Sequence, residues 1–349
     1  MTPRLELGIT TFAETYPDPV SGSARSHGER LRQVVEEIEV AEQVGLDVYG
    51  IGEHHRPDFA ASAPAIVLAA AAARTSRIRL TPAVIILSSA DPVRTFQDFA
   101  TLDLVSEGRA ELMVGRGSFI ESFPLFGLSL SDYNELFSEK LDLLLAIRDG
   151  ERVTWSGRHR PPLHDQAVYP RPHQAPLPVW VAVGGTPESV VRAAQRGLPV
   201  ALAIIGGDPD RFSVLSDLHR SVLADSGHDP AGAPLAVHAH GYVAEAEARA
   251  AEEYLPSYSR SMTLLGRERG WSPMTRAQFD AMRGERGSLV VGNPEQVAAK
   301  ILRMRDVLGI SRFMLHISVG TLPHDQVLNS IALLGNEVAP LVRQDASPV

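Results

Sequence analysis

The chain has no cysteine. That excludes disulfides, thiolate nucleophiles and cysteine-ligated metal centres. It is also nearly without lysine: Lys140 and Lys300 are the only two, and both lie inside helical patterns. A Schiff-base barrel enzyme needs a lysine pointing into its site, so that chemistry is not expected. Basic charge is in deficit as well. Lysine and arginine total 33 against 42 acidic residues, giving a formal net charge of −9 and a pI of about 5.7. Nucleic acids and anionic membranes attract a basic face, so neither is expected as a partner. Long hydrophobic runs are missing too. The start, Met1-Thr2-Pro3-Arg4-Leu5-Glu6, has no apolar core of a secretory signal. Ala60–Ala73 is too short to span a bilayer and reads as a packed, alanine-rich helix. A cytoplasmic protein is the expectation.

What the chain does contain is a long alternation of strands and helices. It has 349 residues, 44% of them hydrophobic, enough for one α/β barrel with insertions. Predicted strands run over Leu5–Thr11, Asp47–Gly52, Ile78–Leu87, Arg109–Gly115, Pro178–Val183, Pro199–Ile205, Leu235–Val243 and Arg312–Ser318. Predicted helices run over Gly28–Val44, Pro64–Arg74, Asp91 to about Ser106, Ser131–Asp149, Pro187–Arg196, a stretch after Pro209, Pro294–Leu308 and Pro323–Asn336. In the first helix Leu31, Val34, Val35, Ile38 and Ala41 recur at helical spacing. In the third, Asp91 is the N-cap and Pro92 the first helical residue. Eight strand–helix units in series fit an α/β fold of the (β/α)8 TIM-barrel type, with a doubly wound open sheet as the alternative. The whole chain, 1–349, reads as one domain. Three stretches, about 117–130, 150–176 and 252–288, are expected as insertions at the carboxyl rim. The second holds a short strand pair, Arg152–Trp155 with Gly157–Arg160. The third follows the seventh strand and suits a lid.

The most informative stretch is Asp47-Val48-Tyr49-Gly50-Ile51-Gly52-Glu53-His54-His55. A buried strand ends in a carboxylate and two imidazoles, and Arg56-Pro57-Asp58 breaks it. Ligands of parallel α/β sheets sit at the carboxyl ends of strands, so these groups point to chemistry. Adjacent side chains on a strand face opposite ways. One histidine is therefore expected at the barrel mouth and the other against the helix layer. His54 is the candidate base or hydrogen-bond donor, supported by Glu53 or His55, because an imidazole titrates near ~6.5. The plain alternative is a structural histidine. Gly115-Arg116-Gly117 puts a guanidinium at the end of the fourth strand. Such a group suits a phosphate, or is simply an arginine on a surface turn. Gly184-Gly185-Thr186-Pro187-Glu188-Ser189 ends the fifth strand and opens a helix. Free N–H groups there can bind an anion, or the glycines can merely turn the chain. His238 and His240 face one way on the seventh strand, as a divalent metal requires, but no third ligand shows a clear spacing. No metal is expected.

Four of these pieces, taken in order, resemble the bacterial-luciferase-like family of flavin-dependent monooxygenases. They are Gly52-Glu53-His54-His55, Ser89-Ala90-Asp91-Pro92-Val93-Arg94, Leu102-Asp103-Leu104-Val105-Ser106-Glu107-Gly108-Arg109 and Gly115-Arg116-Gly117. Trp155-Ser156-Gly157-Arg158 and Pro178-Val179-Trp180-Val181-Ala182 extend the likeness over most of the chain. The resemblance implies a barrel that binds reduced FMN, or the deazaflavin F420, at its carboxyl rim. It implies that O2 is used to oxidise a small-molecule substrate. Reduced flavin would come from a separate flavin reductase, since no second nucleotide-binding domain for NAD(P)H is visible. Carried over by position, His54 matches the catalytic histidine, with Glu53 beside it. Arg116 matches the arginine at the flavin phosphate, and Gly184, Gly185, Thr186 and Ser189 match the phosphate loop. Ala83 and Val84 fall where luciferase holds a cis peptide against the flavin ring, and the stretch after the seventh strand corresponds to a mobile lid. A homodimer is implied, with the alanine-rich helix Pro64–Arg74 suited to pack against its twin. Gly115 stands where luciferase has a cysteine, and light emission is not expected. An F420-dependent dehydrogenase, a non-catalytic flavin-binding protein and a metal-dependent hydrolase using His238 and His240 are the alternatives.

Overall fold

The computed structural model describes residues 4–17 and 22–344. Met1-Thr2-Pro3, part of the stretch read above for a secretory signal, lies outside the described residues. The strands are β1 (Glu6–Thr11), β2 (Val48–Ile51), β3 (Arg79–Pro82), β4 (Ile85–Ile86), β5 (Leu112–Gly115), β6 (Arg152–Trp155), β7 (Leu163–Ala167), β8 (Val179–Val183), β9 (Val200–Ala203), β10 (Leu235–Val243), β11 (Val290–Gly292) and β12 (Arg312–Ser318). The longer helices are α1 (His27–Gln43), α2 (Pro64–Ala72), α3 (Pro92–Val105), α4 (Ser122–Leu125), α5 (Tyr133–Asp149), α6 (Pro187–Ala194), α7 (Ser213–Asp225), α8 (Glu247–Arg269), α9 (Arg276–Arg283), α10 (Pro294–Leu308), α11 (His324–Leu333) and α12 (Ala339–Gln344).

Parallel pairing runs β3-β2-β1-β12-β10-β9-β8-β5-β4. The ring closes where Leu80 N–H donates to Arg109 O at 2.9 Å and Glu111 N–H donates to Leu80 O at 3.0 Å. Closure rules out the open doubly wound sheet. β3 and β4 are two halves of the predicted strand over 78–87, divided at the cis peptide Ala83–Val84. The result is an α/β TIM barrel.

The period-two rule for strands sorts the side chains into layers. Along β12, Arg312, Met314, His316 and Ser318 point inward, while Phe313, Leu315 and Ile317 join the outer core. Met314 meets Val48, Met113, Trp180, Ala201 and Ala236 in an apolar plug inside the barrel. Below the plug, Arg312 closes the floor. Its guanidinium bonds Glu111 at 2.5 and 2.9 Å, bonds Glu6 at 2.7 Å and lies 4.5 Å from the Trp180 ring. Above the plug the inward layer turns polar: Thr10, His238, His316 and His54. The amino end is therefore sealed and the carboxyl end carries titratable groups.

Two sequence readings change. Gly157–Arg160 is not the partner of Arg152–Trp155. β6 pairs with Leu163–Ala167 instead, antiparallel and apart from the barrel sheet. The reason is Glu139 on α5, whose carboxylate accepts the N–H groups of Arg158 (2.7 Å) and His159 (3.0 Å). Those N–H groups are no longer available to a ladder. The stretch after β10 also orders earlier than expected: α8 begins at Glu247 and runs through Pro256 to Arg269.

Candidate active site

His54 stands just past β2, and the strand alternation continues through it. Glu53 and His55 turn to the helix layer and His54 turns to the mouth. Its ring stacks on Phe59 (centroids 4.4 Å apart) and meets Phe12 and Phe119 edge-on at 4.8 and 5.2 Å. Its Nδ1 is buried with no hydrogen-bond partner. Burial, then the neighbouring His316 imidazole, push its pKa down to about 3. His54 is thus a neutral imidazole in an aromatic box at physiological pH, able to donate and accept.

Glu53 does not support His54. Its carboxylate accepts Ile86 N–H at 3.0 Å and bonds His55 Nε2 at 2.7 Å. The same alternation that aims His54 inward aims Glu53 outward, so the expected Glu53–His54 pair does not form. Glu53 instead ties the end of β2 to β4, together with its own N–H, which donates to Val84 O at 3.1 Å. The Ala83–Val84 peptide is held between these elements. A Cβ on Gly50 would come within 2.9 Å of Ala83 Cβ, and one on Gly115 within 2.8 Å of Val84 Cγ2.

The predicted anion groups come together on the next two strands. Arg116 follows β5 and Thr186 follows β8, which pair as neighbours. Arg116 donates to Asn134 Oδ1 at 2.7 Å, approaches Thr186 Oγ1 at 3.4 Å and lies over the Tyr133 ring at 5.2 Å. Thr186 is the N-cap of α6 but makes no side-chain capping bond, so the positive end of that helix stays uncapped. Gly185 has φ +110°, which a side chain would oppose, and a Cβ on Gly184 would meet nothing within 4 Å. Ser189 Oγ, on the first turn of α6, is buried and unpartnered. A second guanidinium, Arg192, lies one turn further along, and its Nη1 is buried without a partner. Burial, then the facing Arg116 charge, hold its pKa below the ordinary arginine value. Two guanidiniums, an uncapped helix end and a glycine opening form a cradle that fits a phosphate.

On the opposite strands stands a histidine cluster. His238 Nε2 and His316 Nδ1 share Thr10 Oγ1 at 2.6 and 3.1 Å, and His316 Nε2 is 3.4 Å from Glu14 Oε1. His240 packs edge-on to His316 at 5.0 Å. Burial pushes His238 down to about 3 and His240 well below its ordinary value. Among the described residues, no group of three or more His, Cys, Asp or Glu side chains is arranged to hold a metal.

A latch crosses the mouth. Arg56, two residues after His54, donates to Glu268 near the end of α8 at 2.5 and 2.8 Å and lies 2.9 Å from Glu121. The same guanidinium sits 4.8 Å over Phe119, which closes the box around His54. Releasing the latch should loosen α8 locally. Glu268→Ala is expected to raise amide exchange about fivefold over residues 264–271, equivalent to about 1 kcal/mol. Exchange of the β-strand amides should not change. Unaltered exchange in 264–271 would show that the ion pair does not hold α8.

Sequence reading missed Arg56, Phe119, Arg192 and His316. His316 was readable as a polar residue at an inward position of a strand, and Arg192 as the i+3 neighbour of Ser189. The Arg56–Glu268 contact spans 212 residues and leaves no local signal.

Fold and site together define a barrel enzyme with an anion cradle and a shielded imidazole on four consecutive strand ends. The family model described as luciferase-like monooxygenase matches residues 5–311. The chain belongs to the luciferase-like monooxygenase family. It is 26% identical over 310 residues to N-acetyl-S-alkylcysteine monooxygenase of Bacillus subtilis (strain 168), covering 84% of this chain and 89% of that protein. The chain spans about half the length of some curated relatives. One is the F420-dependent glucose-6-phosphate dehydrogenase of Kineococcus radiotolerans, 33% identical over 181 residues, covering 50% of this chain and 52% of that protein. Among solved structures it resembles the monooxygenase RslO1 of Streptomyces bottropensis, with a TM-score of 0.84, 24% identity and coverage of 96% and 99% of the two chains. It also resembles the oxygenating constituent of 3,6-diketocamphane monooxygenase from Pseudomonas putida, solved with FMN. There the TM-score is 0.76, the identity 20% and the coverage 97% and 98%. No helix among the described residues is long and apolar enough to cross a membrane.

Proposed function

We propose that this chain is an FMN-dependent monooxygenase that oxidises a small organic molecule with O2. The observation that carries this reading is the cradle of Arg116, Thr186 and Arg192 at the uncapped end of α6, one strand away from the Ala83–Val84 peptide and two from His54. A phosphate with about two negative charges offsets the mutual repulsion of the guanidiniums. Bound reduced flavin would supply the electrons that activate O2. The protein groups do the rest. Arg116, Arg192 and the α6 end hold the phosphate. Ala83 and Val84 form a wall between cradle and imidazole. His54 hydrogen-bonds as a neutral group, and Phe12, Phe59 and Phe119 keep water from it. Glu53 positions the wall through Ile86 and His55. Reduced flavin comes from a separate reductase.

Titration under anaerobic conditions with reduced FMN and reduced F420 tests the cofactor. Preference for FMN by at least about tenfold is expected. The reverse preference would make the chain an F420-dependent dehydrogenase. Flavin binding without oxidation of any compound in a carbonyl and thioether panel would make it a non-catalytic flavin carrier.

The protein is also proposed to form a homodimer through α2 and α3. Ile66 is 72% exposed and Val105 is 56% exposed on these helices, an apolar surface suited to a second copy. Sedimentation at twice the 37.8 kDa chain mass is expected, and Ile66→Glu should shift it to a single chain. A wild-type protein that sediments as one chain would refute the dimer.

A further inference from the structure

The mouth continues past the anion cradle into a second cavity of about 420 Å³, between the ends of β8 and β9 and the helix α8. A void of this size holds a drug-sized molecule. Its apolar walls are Ile205, Phe212, Met262, Trp271, Met274 and Met282. The methionines come from α8, the loop after it and α9. Their unbranched thioether chains adapt to irregular shapes. None of the described side chains lining the cavity carries a charge. At the rim, Arg269 is engaged by two rings, lying 5.3 Å from that of Trp271 and 5.7 Å from that of Phe119.

The cavity has one buried polar side chain of note. Tyr258 lines it, is fully buried, and its Oη has no hydrogen-bond partner. Burial pushes the phenol pKa up, so the group stays a donor. The His240 ring stands edge-on to Tyr258 at 5.6 Å, with its Nδ1 likewise unpartnered. A buried donor without an acceptor costs about 1–3 kcal/mol, and a ligand oxygen facing Tyr258 would recover that loss.

We propose that this cavity binds a neutral, apolar, ring-sized organic molecule through a single hydrogen-bond-accepting oxygen that faces Tyr258. A carboxylate or phosphate placed here would lose its hydration with no lining cation in return. The methionines and Trp271 supply dispersion contact to a flat or curved hydrocarbon body. As the substrate pocket the site rests on the flavin reading of the adjoining cradle. As a binding site it does not.

The test titrates the flavin-free protein with prodan, a neutral naphthyl ketone whose emission moves to the blue in apolar surroundings, and with naphthoate, an anion on the same ring system. Saturable binding of prodan, at least about tenfold tighter than naphthoate and undiminished by saturating FMN, is expected. Tyr258→Phe should weaken prodan about fivefold while leaving FMN affinity unchanged. Met274→Glu, at a partly buried wall position, should abolish prodan binding with the circular dichroism of the fold retained. Naphthoate binding as tight as prodan, competitive displacement of prodan by FMN, or wild-type prodan affinity in Tyr258→Phe overturns the proposal. Binding of prodan by a protein that takes up neither FMN nor F420 would leave this inference standing and remove the flavin reading.

Discussion

His54→Ala is expected to lower turnover about 10²–10⁴-fold, the usual worth of a positioned proton donor or acceptor, while flavin affinity changes less than about threefold. The imidazole is the polar group inside a box of Phe12, Phe59 and Phe119, and its Nδ1 has no protein partner. Packing alone would be satisfied by a hydrophobic ring, and the unpaired buried nitrogen is open to a ligand. The anion cradle lies beyond the Ala83–Val84 wall, so truncating His54 removes nothing from it. With its pKa pushed down to about 3, His54 does not change charge between pH 6 and 9. The wild-type turnover profile should therefore show no inflection from this group near ~6.5. His54→Gln should recover part of the rate, because it restores a hydrogen-bonding side chain. Turnover by His54→Ala equal to wild type, on any compound the wild type oxidises, would refute the role.

The same low histidine pKa values make the fold acid-sensitive. His54 and His238 are pushed down to about 3 and His240 well below its ordinary value, chiefly by burial. In the unfolded chain each takes a proton near ~6.5, so the unfolded state binds more protons as pH falls. Stability is therefore fully present above ~6.5 and is lost on acidification toward the folded values. Between pH 7.5 and 5.5 each contributes a loss on the order of 1 kcal/mol, a few kcal/mol for the three together. His324 has the opposite sign. Its pKa is raised despite burial, by bonds to Glu37 and Glu36, so its contribution grows below its folded value and offsets part of the loss. Urea unfolding at the two pH values should show a net drop of a few kcal/mol. His240→Leu should remove about a third of the slope. A stability that is flat or rises on acidification would contradict the buried neutral cluster.

Strand alternation made much of this architecture legible. It sets His54 and His55 on opposite faces from two adjacent letters, leaving the structure to show that His54 is the one at the mouth, and it explains why Glu53 faces away from His54. Much of the cradle was legible because those parts are local: a guanidinium between two glycines, and a glycine pair before Thr186-Pro187; Arg192 was not. What stayed hidden depends on contacts between distant segments. Glu139 pins Arg158 and His159 from a helix about one hydrogen-bonded layer away, and no strand-propensity pattern records that tether. Glu53 meets Ile86 N–H only once β2 and the two halves of the third barrel strand are side by side. Tyr258 and the three methionines face one cavity from separate segments after β10, whose uneven composition marked a lid and nothing of its lining.

Arg116, with Arg192 and the end of α6, is proposed to grip a flavin phosphate. FMN and riboflavin differ only in that group, so their affinities for wild type and Arg116→Ala, read by absorbance titration, test it directly. FMN should bind wild type at least about 100-fold more tightly than riboflavin, and Arg116→Ala should weaken FMN by about 1–3 kcal/mol without affecting riboflavin. Equal affinity of wild type for the two flavins, or an FMN dissociation constant that Arg116→Ala leaves unmoved, would show that the cradle grips no flavin phosphate.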